Sequence, residues 1–316
     1  MQNFHDLLSH LADTGQYKPN RTGVGTYASV GHMLKFDLAH SFPAITTKKL
    51  AFKTLTAELI GLFRGFDNAA NFRALGCPIW DQNANETPSW LANPNRKGVD
   101  DLGRIYGVQW TKWRDTRVVH AQAQAQQMVQ EGGYTLVAAD PARATWVVER
   151  TINQLEEALR TLLTDPFNRR IIVNGWRPDE ADLQCIPCCH VGYQFLVMPD
   201  GTLHSTLWQR SFDAFLAFNV PTLALLTHVM ARLAGLQVGT ATMFISDAHL
   251  YENHLEQVRT QLAREHFEPP QLGISETLQK VGSLAEIKGA FERIEPRDFW
   301  LEGYQSHETI KAPMAA

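Results

Sequence analysis

The chain has few cysteines and no large excess of charge of either sign. Only four of its 316 residues are cysteine, and the formal net charge is −4. So few cysteines do not suit the disulfide framework of a small secreted protein. The charge balance also argues against a broadly basic surface for nucleic acid. These two shortages favour a protein of a reducing compartment that binds a small ligand, and nucleic acid is not an expected partner.

Long apolar runs are missing as well. No stretch of about 20 apolar residues is present to span a membrane. At the N-terminus, apolar residues recur at helical spacing around Asp6, which predicts an amphipathic helix and not a secretory signal. These apolar residues are Phe4, Leu7, Leu8 and Leu11. We expect a cytoplasmic protein, in the host cytoplasm if a phage encodes it, with no membrane association.

Helical and strand-like patterns alternate along the chain and predict a mixture of α and β structure. Helical spacing returns in three segments, 50–63, 152–163 and 222–236. Two β-prone runs, 191–198 and 203–208, flank Pro199-Asp200-Gly201, and this order predicts a hairpin. The segment at about 112–150 contains an Ala/Gln run and resembles a peripheral insert.

A cysteine at the start of the predicted hairpin is the candidate nucleophile. Cys189 precedes His190 and the first strand, and Arg210 falls near the same end of the hairpin. Arg169 and Arg170 lie a short distance upstream. A thiol among arginines suggests a reactive thiolate beside an anionic ligand.

Three further patterns are compatible with chemistry and also with a purely structural role. The loop Asn20-Arg21-Thr22-Gly23-Val24-Gly25 can wrap a phosphate or form a solvated turn. Glu58 stands in an apolar helix, where a desolvated carboxyl titrates high and can move protons; an exposed glutamate is the alternative. His249 and Tyr251, two residues apart on an extended segment, can bind a sugar hydroxyl or pack in the core.

Cys185 and Cys188 form a Cys-x-x-Cys pattern, which is typical of a redox pair or of half a zinc site. Zinc requires four ligands, and the chain has no second Cys-x-x-Cys and no matching pair of histidines. No metal is therefore expected. A redox protein stays as an alternative.

Taken in order, these motifs resemble those of the thymidylate synthase family over nearly the whole chain. The resemblance rests on Asn20-Arg21-Thr22-Gly23, Ile79-Trp80-Asp81, Tyr106-Gly107-Val108-Gln109-Trp110, Cys189-His190 and Gln209-Arg210-Ser211. It implies a single α/β (α+β) catalytic domain over 1–316, with the insert at about 112–150 as a peripheral part. It also implies a mixed β-sheet with flanking helices, packed sheet to sheet in a homodimer.

The resemblance further implies a role for individual residues. The catalytic set is Cys189, Glu58, Tyr106 and Asp213. The dUMP-binding set is Arg21, Arg169, Arg170, Gln209, Arg210, Ser211, Asn219, His249 and Tyr251. The folate-binding set is Ile79, Trp80, Asp213, Phe218 and Ala315. In this family pattern Arg169 and Arg170 reach the partner subunit's site.

The implied reaction is a one-carbon transfer from 5,10-methylenetetrahydrofolate to C5 of dUMP. Cys189 adds to C6 and makes C5 nucleophilic, while Glu58 moves protons through water. The Asn219 amide suits uracil better than cytosine, which favours dUMP over dCMP.

Several departures from the family pattern lie around the pyrimidine and the C-terminal lid. Cys188 stands where proline is usual, Ser246 stands where glycine is usual, and the loop 216–221 is two residues short. The tail 304–309 also lacks the usual prolines. These departures favour a deoxyuridylate hydroxymethylase, in which water captures the methylene intermediate, as in enzymes that supply modified pyrimidines for DNA. The alternative is a thymidylate synthase that releases dTMP and dihydrofolate. An inactive homologue that binds nucleotide or RNA is a more distant alternative.

Overall fold

The fold is known from a computed structural model, which describes residues 1–20 and 23–312. The strands in this part of the chain are β1 (Gln16–Lys18), β2 (Thr26–Asp37), β3 (Trp113–Val119), β4 (Thr135–Asp140), β5 (Thr145–Ile152), β6 (Ile172–Asn174), β7 (His190–Val197), β8 (Thr202–Asp213), β9 (Gln237–Tyr251), β10 (Gln271–Ile274) and β11 (Phe299–Glu302). The helices are α1 (Gln2–Thr14), α2 (Phe52–Phe63), α3 (Ala69–Ala74), α4 (Asp81–Asn85), α5 (Pro88–Leu91), α6 (Tyr106–Thr111), α7 (Gln122–Glu131), α8 (Gln154–Thr164), α9 (Asn219–Ala234) and α10 (Leu255–Leu262).

A six-stranded sheet in the order β1-β2-β9-β8-β7-β6 forms the centre of the fold. Neighbouring strands are antiparallel except for β8 and β9, which run parallel, so the sheet is mixed. Helices α1, α8 and α9 contact strands of this sheet. The mixed α/β fold predicted from the sequence is confirmed.

The helices follow the apolar pattern of the sequence. In α1 the four residues predicted to face the core are buried: Phe4, Leu7, Leu8 and Leu11. Helix α9 begins at Asn219, earlier than the Thr222 predicted from periodicity. The sequence prediction was wrong there because Pro221 was taken to precede the helix, whereas proline is tolerated in a first turn, where no N–H is needed. Gly235 ends α9 with a φ of 70°, a left-handed conformation that glycine adopts without a steric cost.

The predicted hairpin is present as β7 and β8. Its register pairs His190 with Gln209, and the main-chain N–H of Arg210 donates to the carbonyl of Cys189 at 3.0 Å. The candidate nucleophile and a candidate phosphate arginine therefore lie at the same end of the hairpin, as predicted.

One face of the large sheet carries an exposed apolar row that crosses three strands. Met33 in β2 pairs with Phe244 in β9, which in turn pairs with Trp208 in β8. Their exposed fractions are 59%, 46% and 55%. We call the surface defined by these three residues the outer face.

The segment predicted as an insert forms a second, three-stranded sheet in the order β3-β5-β4, with α7 packed on it. Its register pairs Trp113 with Ile152, the first and last residues of the sheet. It has a small core of its own, made of Val119, Ala125, Tyr134 and Val148.

Across residues 1–20 and 23–312, the search for a helix both long and apolar enough to cross a bilayer finds none.

Candidate active site

A cavity of about 830 Å³ opens at the end of the hairpin where Cys189 lies. It is lined by nine of the residues predicted to form the site: Tyr106, Cys189, Gln209, Arg210, Ser211, Asp213, Asn219, His249 and Tyr251. Trp90, Ile186 and Leu216 supply an apolar part of its wall. Residues spread over more than 140 positions of sequence therefore meet in one space, which we call the Cys189 cavity.

The other predicted site residues lie elsewhere. In the described part of the chain, the cavity wall does not include Glu58, Ile79, Trp80 or Phe218. Arg169 and Arg170 are exposed and also lie outside this wall. Arg21 and Ala315 fall outside the described residues.

The nucleophile is held by its main chain. The N–H of Cys189 donates to the hydroxyl of Tyr106 at 2.9 Å. The guanidinium of Arg210 donates through Nε to the carbonyl of Cys188 at 2.8 Å and through Nη2 to that of Pro187 at 2.6 Å. A charged group that can bind an anion is thus fixed beside the thiol.

The segment before the nucleophile is anchored by a buried carboxylate. Glu180 is 3% exposed and binds the guanidinium of Arg104 and the side-chain amide of Gln109. Burial raises the pKa of Glu180, but the hydrogen bonds from Arg104 and Gln109 outweigh it, and the net pKa is lowered. Glu180 therefore stays ionised and ties the turn Pro178–Leu183 to helix α6, which begins at Tyr106.

Cys185 and Cys188 do not resemble a reactive dithiol. They are 7% and 1% exposed, and the Cys188 thiol donates to Gln184 Oε1 at 3.4 Å. Burial raises the pKa of Cys185 to about 12 and that of Cys188 still further. A thiol with so high a pKa is protonated near neutral pH and is a poor nucleophile.

Glu58 lies next to Trp80. Burial raises the pKa of its carboxyl to about 7, although the residue as a whole is only partly buried. The Trp80 indole N–H is near enough to favour the ionised form, but it lacks the geometry of a full hydrogen bond. The raised pKa of Glu58 agrees with the expectation from its position in an apolar helix. A carboxyl with a pKa near neutrality can both donate and accept a proton.

Asn219 lines the cavity and contacts the buried ring of His190. The Asn219 side-chain nitrogen donates to His190 Nε2, and His190 Nδ1 contacts the Tyr193 hydroxyl at 2.7 Å. Burial lowers the pKa of His190 to about 3, so the ring is neutral. With Nε2 as acceptor, Nδ1 carries the proton, and the amide of Asn219 is held in one orientation.

The cavity wall also contains a group of charged and aromatic side chains. His249 Nδ1 lies 3.0 Å from Asp247 Oδ1, and Lys18 forms an ion pair with the same carboxylate. Hydrogen bonding from His249, and then from Lys18, lowers the pKa of Asp247 to about 2. The Tyr251 ring packs edge-on against His249 at 5.5 Å.

Gln209 presents an unused acceptor to the cavity. The side chain is fully buried, and its Nε2 donates to the carbonyl of Ser211 at 2.6 Å. Its Oε1 has no partner among the described residues. A buried acceptor without a donor is costly, and a ligand that donates a hydrogen bond there would relieve that cost.

Two site residues were missed by the sequence analysis. One is His190, which was read only as the neighbour of the nucleophile. The other is Lys48, whose ammonium lies 3.6 Å from the centre of the Phe215 ring and binds the Phe215 carbonyl. Burial lowers the pKa of Lys48 to about 8. The only local signal was a lysine pair, Lys48-Lys49, between apolar segments.

Metal ligands were searched among residues 1–20 and 23–312. No group of three or more His, Cys, Asp or Glu side chains there is arranged to hold a metal ion.

Comparison with known proteins assigns the chain to a family. The sequence model of the thymidylate synthase family matches residues 2–316. Similar curated proteins, each named thymidylate synthase, come from Pseudomonas putida (42% identity over 322 residues), Pseudomonas syringae pv. tomato (41% over 322) and Bordetella parapertussis (42% over 323). Each alignment covers 100% of both chains. The chain therefore belongs to the thymidylate synthase family and is a one-carbon transferase that acts on a pyrimidine nucleoside monophosphate.

Proposed function

We propose that the protein converts dUMP and 5,10-methylenetetrahydrofolate into dTMP and dihydrofolate. The observation that carries the proposal is the meeting of Cys189, Arg210 and Asn219 in one cavity, with a thiol between an anion-binding group and an amide. The departures in sequence favoured a hydroxymethyl product. The full-length relatives are named thymidylate synthase instead, and they favour the methyl product.

The nucleotide would lie along the cavity from Arg210 to Asn219. Arg210 and Ser211 receive the phosphate, together with Arg21 and with Arg169 and Arg170 of a partner, whereas the free acceptor of Gln209 suits a group of dUMP that donates a hydrogen bond. His249 and Tyr251 bind the sugar. Neutral His190 occupies one N–H of Asn219, which leaves Oδ1 for the N3–H of uracil and the second N–H for O4. Cytosine has no N3–H, and its ring nitrogen would face the same oxygen, so dUMP is preferred over dCMP.

In the reaction, the Cys189 thiolate attacks C6 of the pyrimidine, and C5 becomes able to attack an electrophilic carbon. Arg210 is held beside Cys189 by the carbonyls of Pro187 and Cys188. Burial raises the pKa of Tyr106 well above its usual value, so this phenol keeps its proton and donates a hydrogen bond. Glu58 moves protons at the pyrimidine carbonyl through water, and Asp213 supports the folate.

The reduced folate supplies both the one-carbon unit and the hydride. A volume of about 830 Å³ lies near the upper end for single-ligand pockets, so a second ligand beside the nucleotide fits it. The apolar wall of Trp90, Ile186 and Leu216 suits a flat aromatic group. We assign Ile79, Trp80, Phe218 and Ala315 to the same ligand on the family pattern.

Shielding from water decides between the methyl and the hydroxymethyl product. Trp80 is only 6% exposed, and its ring packs against Phe72 at 5.8 Å and Tyr106 at 5.6 Å. A tryptophan fixed in this way limits the access of water to the intermediate. This supports methyl formation.

The proposal includes a homodimer. The outer face, with Met33, Phe244 and Trp208, is an apolar surface that a second copy would cover. Arg169 and Arg170 are exposed and lie outside their own cavity wall, which suits arginines that act in the partner's site. Two other features remain predictions from the sequence. One is a single catalytic domain with a peripheral insert, and the other is a location in the cytoplasm.

The product test is mass spectrometry of the nucleotide formed from dUMP and 5,10-methylenetetrahydrofolate, with dihydrofolate followed by its absorbance. We expect a methyl product and one dihydrofolate per nucleotide. A hydroxymethyl product without dihydrofolate would restore the hydroxymethylase hypothesis. Absence of any turnover, with dUMP still bound, would favour a regulatory homologue.

The dimer test mixes two inactive variants, Cys189→Ala and Arg169→Ala. If the arginine acts on the partner's nucleotide, a hybrid dimer contains one complete site and recovers activity. If Arg169 acts on its own subunit's site, the mixture stays inactive. Cys189→Ala mixed with wild type measures the effect of subunit exchange alone.

A further inference from the structure

A network of polar side chains stands outside the Cys189 cavity, at both ends of α4. Arg73 in α3 binds Asp81, the first residue of α4, at 2.6 Å. It also binds both carboxylate oxygens of Asp100, at 3.0 and 2.6 Å. Asn85, the last residue of α4, donates to Asp100 at 2.8 Å and accepts from the Asp100 N–H at 2.9 Å. We call these four residues the Arg73 network.

The Arg73 network holds a backbone conformation that is unfavourable by itself. Asp100 has a φ of 64°, in the left-handed region that side chains other than glycine rarely adopt. Its carbonyl accepts from the Ala69 N–H at 2.8 Å. Hydrogen bonding from Arg73 lowers the pKa of Asp100 to about 2, so the ionised form persists at working pH. Asp100 is therefore fixed by both its main chain and its side chain.

Helix α4 cannot define its own position. It is five residues long, and its N-cap residue, Trp80, makes no side-chain capping bond. A helix this short is unstable without tertiary contacts, because the free-energy cost of nucleating a helix exceeds the stabilisation from the hydrogen bonds of one turn. Its placement therefore depends on tertiary contacts, namely the burial of Ala84 in the core and the bonds at its two ends.

Trp80 directly precedes α4 and packs behind Tyr106, which lines the Cys189 cavity. Its ring contacts Tyr106, whose hydroxyl accepts from the N–H of Cys189. A shift of α4 would move this ring relative to Tyr106 and Glu58. The Arg73 network, which lies near the protein surface, therefore acts on the reacting atoms through Trp80.

We propose that Arg73 and Asp100 are positioning residues that hold Trp80 against Tyr106 at the cavity wall and so keep water from the one-carbon intermediate. The inference rests on the proposed function, since it requires that the intermediate be shielded. With Trp80 loosened, water adds through its oxygen to the exocyclic methylene carbon and loses a proton. The electron pair passes through the C4 enolate, C5=C6 re-forms, and the C6–S bond to Cys189 breaks. No hydride is used, and no dihydrofolate appears.

The test compares Asp100→Asn with Asp115→Asn. Asparagine keeps the size of Asp100 and its tolerance of a positive φ but removes the charge that Arg73 binds. Asp115 lies in the insert and accepts from Arg117 at 3.0 Å and Arg150 at 2.9 Å, so it is a carboxylate with a similar arginine pair, remote from the cavity. It is the matched control.

We expect Asp100→Asn to release a hydroxymethyl product that the wild type does not form, and to lower the dihydrofolate formed per nucleotide below one. The KM for the folate should rise, whereas the dissociation constant for dUMP, measured by calorimetry, should not change. Arg73→Lys keeps a charge but loses the two-pronged contact, and it should fall between wild type and Asp100→Asn. Asp115→Asn should match wild type in all three measurements.

The proposal is overturned if product ratio and folate KM are the same in Asp100→Asn and Asp115→Asn. It is also overturned if Asp100→Asn weakens dUMP binding and folate binding to the same degree, because that indicates general damage. If Asp100→Asn does not fold, the comparison of Arg73→Lys with Asp115→Asn decides. A hydroxymethyl product from the wild type would refute the proposed function itself, which is a different result from an unchanged ratio.

Discussion

Replacing Glu58 with glutamine is expected to stabilise the protein at alkaline pH while it removes activity. Burial raises the pKa of Glu58 from an ordinary 4.5 to about 7 in the folded state. Above pH 4.5 the unfolded chain releases this proton while the folded protein still retains it. Stability is thus lost as the pH rises between the two values, and the loss is complete above the folded pKa.

The magnitude follows from the two pKa values. Each unit of difference corresponds to about 1.4 kcal/mol, so the full cost of ionising Glu58 in place is about 3 kcal/mol above pH 7. At about pH 5.5 the cost is about 1 kcal/mol, because the unfolded state has released its proton but the folded state has not. The glutamine variant avoids the cost at both values. Its advantage over wild type should therefore grow by about 2 kcal/mol between about pH 5.5 and about pH 8.5.

The assay is urea unfolding followed by tryptophan fluorescence, at both pH values and at one protein concentration, since a dimer's stability depends on concentration. Taking the difference between pH values cancels any change in packing caused by the amide. Glu157→Gln, at an exposed position of α8, controls for the loss of one carboxylate. An advantage that is the same at both pH values would refute the reasoning about Glu58, whatever happens to activity.

Four further outcomes are expected. Cys189→Ala should lower kcat at least about 10³-fold with dUMP binding retained in calorimetry; appreciable turnover would remove the nucleophile assigned here. Asn219→Asp should shift kcat/KM from dUMP toward dCMP by about 10²-fold or more, and an unchanged ratio contradicts the base contact. Iodoacetamide near neutral pH should label Cys189 and spare Cys185 and Cys188, as peptide mass spectrometry can check. Trp208→Glu should give monomers in sedimentation, and a dimer that persists would show that the outer face is not the interface.

Local pattern was sufficient to predict part of the fold. The apolar spacing in α1 identified its four buried residues because an amphipathic helix has one face to bury. Pro199-Asp200-Gly201 located the hairpin, since these residues suit a tight reversal. The apolar surroundings of Glu58 in sequence indicated a raised pKa, with an exposed glutamate as the alternative, and the pKa is raised.

Contacts between distant segments could not be predicted from local pattern. Nothing near Glu180 in sequence shows that Arg104 binds it, because 76 positions separate the two. The same holds for Lys48 and the Phe215 carbonyl. Asn219 was expected in the site by resemblance and lines the cavity, yet its bond to His190 depends on where α9 begins, and periodicity placed that start too late. The sequence alone therefore indicated candidate residues better than it indicated the contacts that hold them.

The pairing of Trp113 with Ile152 has a consequence for the evolution and engineering of the chain. Residues paired across an antiparallel ladder lie about 5 Å apart, so the polypeptide leaves the main body and returns to it at the same point. A two-residue turn could join the two ends directly. The segment between them has its own hydrophobic core and would keep its fold when it is moved to another protein. At this position the inserted segment can be removed, lengthened or replaced by a sensor domain or a linker. The strands of the catalytic sheet keep their register in each case.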